Sequence, residues 1–153
     1  FEEAAALAHR IGVIDHGRLV QLAPAADLLA APETVQVAAI TGANIAEGFA
    51  TTTESGSTVR LQGGGELESA TPARGRVHVA VHPWQLEIAD PNACDLTDVI
   101  LSVHHERGAA TVRLTRFTLQ TPVSQNGDHP LTEGALVGLR ADRRNVTVLP
   151  PET

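Results

Sequence analysis

The feature that most constrains the fold is a change of texture at about Gly48, after which short alternating apolar runs follow one another, separated by turn residues. "TVRLQ" and "RVHVAVH" alternate apolar and polar side chains, the period of a half-buried strand. "ATVRLTRFTLQTPV" reads as strands broken near Thr115 or Arg116, and "ALVGLR" and "NVTVLP" add two more near the end. Turn signals lie between them: "QGGGE" at Gln62–Glu66, "ERGA" at Glu106–Ala109, "QNGD" at Gln125–Asp128 and "TEG" at Thr132–Gly134. Many short strands at such spacing point to a small barrel or sandwich. Aromatic residues make up only 3% of the chain, so its core must rest on Val, Leu, Ile and Ala. No repeat of fixed length is evident, although two related, diverged units are compatible with the β half.

Residues 1 to about 46 read as mostly helical, with one interruption. Glu2 and Glu3 suit the first turn of a helix, and Ala4, Ala5, Ala6, Leu7 and Ala8 are strong helix formers. Ile11, Val13 and Ile14 of "RIGVID" suit a buried strand. Asp15, His16 and Gly17 then make a tight turn into a second strand, Arg18 to Leu22. Pro24 suits the first turn of a helix through Ala25 to Ala30. Pro32 is expected to open another, with Val35, Val37, Ala38 and Ile40 as its apolar contacts and Gly42 as its stop.

Composition then removes several classes of function. The 153 residues suffice for one ordinary core or two small ones. With 42% hydrophobic and 19% charged residues the chain is globular in composition. It has no run of about 18 apolar residues of the kind that spans a bilayer. Cys94 is single, so it forms no intrachain disulfide, and a reducing cytosol is its simplest setting. The net charge is −7 and all eleven basic residues are arginine, a balance that argues against a nucleic-acid partner. Arg140, Arg143 and Arg144 come nearest to a basic patch, but Asp142 dilutes them and a solvated turn is the better reading.

The opening string "FEEAAALAHRIGVIDHGRLVQLAPAADLLAAPETVQVAAITGAN" closely resembles the end of the nucleotide-binding subunit of bacterial ABC importers. In that family an "F/Q-x-EA" helix is followed by "ADRI-x-V-hydrophobic-x-x-G-R-hydrophobic-x-Q-x-G", a "P-x-E-L" segment, a further proline and "F-V-A-x-F-x-G-x-x-N". Glu3 and Ala4, Arg10 and Ile11, Gly17 and Arg18, Gln21, Pro24, Leu28, Pro32, Gly42 and Asn44 hold those places here. The series covers roughly the first 45 residues and departs from the family at Ala23, usually glycine, and at Asp27, usually glutamate. The resemblance implies that Phe1 lies just downstream of the family's switch histidine, so that residues 1–46 are the C-terminal remnant of an ATPase domain.

Residues 47–153 resemble the TOBE domain of the same importers, of the molybdate, sulfate and maltose type. "VHVAVHPWQLEIAD" at Val77–Asp90 looks like the family's "V-x-hydrophobic-x-hydrophobic-R-P-E-x-I-x-L", with His82 for arginine and Trp84 for glutamate. "ALVGLRADRRNVTVLP" looks like its closing strands. The expected fold is therefore mainly β: a small OB-like barrel, TOBE- or MOP-like, preceded by a short α+β segment. The resemblance implies a non-catalytic regulatory and dimerisation region of an ATP-binding subunit. That subunit would lie peripherally on the cytoplasmic face of the bacterial inner membrane, against transmembrane permease subunits. It implies ATP and Mg for the intact protein and no cofactor for this fragment. The chain has no lysine, no G-x-x-x-x-G-K-[ST], and neither the signature nor the Walker B motif, so it is not expected to hydrolyse ATP by itself. "QGGGE" is glycine-rich but lacks lysine, and reads as a turn.

An alternative role is a cytoplasmic sensor of molybdate, tungstate or sulfate. In molybdate-type importers the domain resembles small modules whose "S-A-R-N" segment binds the oxyanion, and "DLTDVILSV", Asp95 to Val103, stands at that place. Thr97 is the one hydroxyl in the motif-like part and the one candidate ligand, while Asp95 and Asp98 would repel an anion. The other candidates are bland. His78 and His82 share a strand face but stand roughly 13 Å apart, too far for one metal ion. His104 and His105 point to opposite faces, and His9 and His16 suit the surface of the tail. Cys94 reads as a loop thiol, and Ser102 with His104 is no triad signature. Trp84 is expected to plug one end of the barrel.

Overall fold

The computed structural model describes residues 1–122 and 131–151, so the turn expected at Gln125–Asp128 lies outside the described residues. The first part starts with helix α1 (Glu2–Leu7), which carries Glu2 and Glu3 in its first turn and buries none of its residues. A hairpin follows, in which β1 (Ile11–Asp15) pairs antiparallel with β2 (Arg18–Ala23). The turn residues His16 and Gly17 take φ values of 49° and 75°, as a two-residue turn must if its twist is to match the strands. Helix α2 (Ala25–Ala30) starts directly after Pro24 and buries Leu28 against Val13 and Val37.

Helix α3 (Val35–Ile40) begins later than Pro32 suggests. The hydroxyl of Thr34 accepts the N–H of Val37 at 3.2 Å, satisfying a first-turn donor and fixing the helix start there. Pro32 stays in the preceding loop. Gln21 holds that loop from below: its amide donates to the carbonyl of Ala31 at 3.1 Å, and its oxygen accepts the N–H of Glu33 at 3.0 Å. The helix stops at Gly42, at φ 88°, with Gly42 N–H on the Ala39 carbonyl and Ala43 N–H on that of Ala38. These paired bonds are those of a Schellman stop.

The strand after that stop begins earlier than the sequence suggests. β3 (Asn44–Thr53) runs through Asn44–Ala46, where the reading is still helical, because the stop turns the chain outward and Ile45 pairs at once with Ala80. β3 lies between β4 (Gly56–Leu61) and β6 (Gly75–Val81); β5 (Glu66–Ser69) and β12 (Thr147–Leu149) complete a five-stranded sheet in the order β12-β6-β3-β4-β5. The second sheet comprises β7 (Leu86–Ala89), β8 (Leu96–Glu106), β9 (Ala109–Leu114), β10 (Thr118–Pro122) and β11 (Leu136–Ala141), in the order β10-β9-β8-β11-β7. β8 shifts register between Ile100 and Ser102, so its first half pairs with β11 and its second with β9. Such a bulge bends a strand and increases its twist.

The two sheets share one core, in which Val59 and Val79 of the first meet Leu96, Ile100, Val112 and Leu119 of the second. Phe117, 3% exposed, is the aromatic ring within it. The fold is thus mainly β, a small OB-like barrel made from two curled sheets, with the short α+β segment in front of it. That segment is fastened to the barrel's outside. Ala38 of α3 is fully buried against Ala80 of β6 and Leu149 of β12.

Candidate functional site

The segment singled out for anion binding forms the start of β8. Thr97 sits half-buried within the strand, opposite Gly138 of β11. Asp95 is exposed, whereas Asp98 is only 6% exposed. A carboxylate this deep is costly unless it is hydrogen-bonded, and two backbone donors reach it. The N–H of Val99 donates to Oδ1 at 2.8 Å, and the N–H of Arg116 donates to Oδ2 at 2.9 Å. Residues 115–117 link β9 to β10, so Asp98 pins that link to the barrel.

Arg116 is the residue of this site that the sequence does not announce. Its guanidinium donates to the carbonyls of Gly64 at 2.9 Å, Gln62 at 3.3 Å and Thr97 at 3.4 Å. It also lies 5.5 Å from the centroid of the Phe117 ring. The "QGGGE" stretch is therefore a turn whose carbonyls face a cation, the reverse of a phosphate cradle. Gly63, Gly64 and Gly65 all take positive φ there, which other residues rarely do. Backbone N–H groups that could serve an anion are given to the Asp98 carboxylate, and the guanidinium is given to carbonyls. The one sequence signal for Arg116 is the break in alternation at "LTRFT".

His82 does a different job. Its Nε2 donates to the carbonyl of Leu29 at 2.9 Å, joining α2 to the barrel. Trp84 stacks on the imidazole with ring centroids 4.4 Å apart and planes 6° apart. Trp84 is 53% exposed, which corrects the expectation of a barrel plug. The 3-10 turn Pro83–Gln85 carries the indole outward, so it covers a buried imidazole and not the core.

The other histidines disperse. His78 Nε2 lies 3.5 Å from Glu47, His104 lies 4.0 Å from Glu106, and His16 lies 3.1 Å from Asp15. Among the described residues no group of His, Cys, Asp or Glu is arranged to hold a metal ion. The Sγ of Cys94 lies 3.9 Å from Nη2 of Arg140. The remaining arginines near the C-terminus are also separately engaged: Arg143 donates to the Ser55 carbonyl at 2.7 Å, and Arg144 pairs with Asp142 at 2.8 Å. The Arg144 guanidinium and N–H hold the Asp142 carboxyl at about 2, below its ordinary 3.8, and the same pairing raises the pKa of Arg144. Among the described residues no helix is long and apolar enough to cross a membrane.

Geometry of this kind defines a small OB-like β-module with an α+β segment clamped to its side, and comparison with known proteins narrows the class. No family model matches the chain. Over 91 residues it is 36% identical to the molybdate/tungstate import ATP-binding protein WtpC of Thermococcus kodakarensis, a match spanning 59% of this chain and 26% of that protein. The chain thus covers about a quarter of the length of that relative. Among solved structures, the cytoplasmic molybdate-binding protein ModG with molybdate bound superposes with a TM-score of 0.57. The superposition covers 72% of this chain and 98% of that one, at 16% identity, a likeness of fold. The chain is thus similar to the C-terminal region of one ABC importer ATP-binding subunit, in agreement with the motif series of its first 45 residues.

Proposed function

We propose that the chain is the non-catalytic regulatory and dimerisation region of an ABC importer ATP-binding subunit, which in the intact protein couples ATP hydrolysis to solute uptake. The observation that carries this reading is the double attachment of the ATPase-like tail to the barrel. Ala38 is buried on Ala80 and Leu149, and Leu29 is bonded to His82. Held at both α2 and α3, the tail would pass a displacement on to the barrel. ATP and Mg belong to the rest of the subunit. The residues present here do not fit them, having no lysine and no phosphate loop. On this reading the intact protein would meet permease subunits at the cytoplasmic face of the membrane, with residues 1–46 ending an ATPase domain and residues 47–153 forming the regulatory barrel.

The barrel would meet a second copy through the second sheet, where Leu101 and Leu136 are 56% and 54% exposed. Light scattering over a concentration series tests this: a dimer at high concentration supports it, and a monomer throughout contradicts it.

The second reading, an oxyanion sensor, is favoured by the fold likeness to a molybdate-binding protein. The internal bonds of Asp98 speak for the structural role instead. Titration with molybdate, tungstate and sulfate separates the two.

A further inference from the structure

Across the outer face of the first sheet, three residues stand abreast. Phe49 of β3 is the direct partner of Arg60 on β4 and of Arg76 on β6. Residues directly opposite in an antiparallel pair have Cβ atoms roughly 5 Å apart, so both arginine stems flank the ring. The ring is 58% exposed. It borders a hollow of about 410 Å³ whose walls include Glu47, Arg60, Arg76, His78 and Pro151. That volume falls within the usual span of small-molecule sites, roughly 300–1,000 Å³.

The charges around the hollow are only partly spent. Arg60 is 4.0 Å from Glu66 in an exposed pair, and Glu47 is 3.5 Å from His78. Among the described residues Arg76 is in no ion pair. The His78 side chain is 13% exposed, and its Nδ1 is buried with no hydrogen-bond partner among the described residues. On a chain of net charge −7 this row gathers two guanidiniums and an open aromatic face, with His78 in the wall beside them. Guanidinium suits phosphate and carboxylate oxygens, which it can meet with two donors at once. A ring face suits stacking with a flat heterocycle.

We infer that this face binds a small anion bearing a flat ring, of mononucleotide size, with the ring on Phe49 and the anionic group on the guanidinium of Arg76. The site is separate from the start of β8 and does not depend on the role proposed for the barrel.

The experiment is an NMR titration of the whole 153-residue chain with adenosine monophosphate, and separately with its halves, adenosine and inorganic phosphate. Adenosine monophosphate should shift the amides of Phe49, Arg60, Arg76 and His78, with a Kd at or below about 1 mM. Each half should bind at least about tenfold more weakly. Phe49→Ala and Arg76→Gln should each raise the Kd about tenfold. Phe49→Leu, which keeps apolar bulk and removes the ring, should behave like Phe49→Ala. No shifts at these residues at about 10 mM ligand, where a site of Kd 1 mM is about nine-tenths filled, overturn the inference. So does inorganic phosphate binding as tightly as the nucleotide, or an unchanged Kd in Arg76→Gln or in the Phe49 variants.

Discussion

The side-chain amide of Asn44 pairs with the backbone of Thr118, 74 residues away, as one more rung of a strand ladder would. Its oxygen accepts the Thr118 N–H at 2.8 Å and its nitrogen donates to the Thr118 carbonyl at 2.8 Å. Asn44 opens β3 in one sheet and Thr118 opens β10 in the other, so one side chain joins the two sheets across the barrel's edge. Asparagine suits the place because its amide presents one donor and one acceptor side by side. Asn44→Ala should lower stability by about 1–3 kcal/mol, since it strands two partly buried backbone groups. Asn44→Asp keeps the acceptor but sets a carboxylate against the Thr118 carbonyl. It should be the weaker protein at neutral pH, and should recover in part as the new carboxyl is protonated. Urea denaturation at pH 7 and pH 4 checks both.

Asp98 should behave as a structural carboxylate. Asp98→Ala leaves the N–H groups of Val99 and Arg116 without their acceptor, at a cost of about 2–3 kcal/mol. Asp98→Asn retains one acceptor oxygen and should lose less. Equilibrium unfolding of the three proteins gives the order directly.

His82 ties α2 to the barrel and carries the stack with Trp84. His82→Ala should lower stability by about 1–3 kcal/mol through loss of a buried donor and its packing. Trp84 is the single tryptophan, so its fluorescence should change in the same variant even in the folded state. An unchanged spectrum would show that the stack does not persist in solution.

Acid affects the Asp142–Arg144 pair in a defined direction. The folded pKa of Asp142, about 2, is below the ordinary 3.8, so the folded state prefers the ionised form. The stability this contributes is fully present above pH 3.8 and is lost as pH falls through about 2. Arg144→Gln removes the guanidinium, and the Asp142 side-chain resonance should then titrate nearer 3.8. A titration that stays near 2 would assign the shift to another group.

Strand periodicity, the turns at Gly17 and Gly108 and the helix from Ala25 to Ala30 were legible in the sequence because each is local. The alternation of Val77, Val79 and Val81 is visible without knowing what they face, and all three point into the core. The Gly42 stop was legible for the same reason. The motif series also pointed to Gln21 and Asn44, although their work, bracing a loop and joining two sheets, depends on partners far along the chain. Non-local roles are what the sequence hid. Arg116 reads as an ordinary strand-break arginine until residues 62–64 fold against it, more than 50 positions away. Trp84 reads as a plug because its burial depends on a turn that happens to carry it outward.

Isothermal calorimetry of the chain with molybdate tests the central distinction, between a barrel braced by its own carboxylate and one open to an oxyanion. With Asp98 holding the backbone donors at the start of β8, no binding heat is expected up to millimolar molybdate. A saturable heat with a micromolar Kd, weakened by Thr97→Val, would contradict this and make the chain an oxyanion sensor.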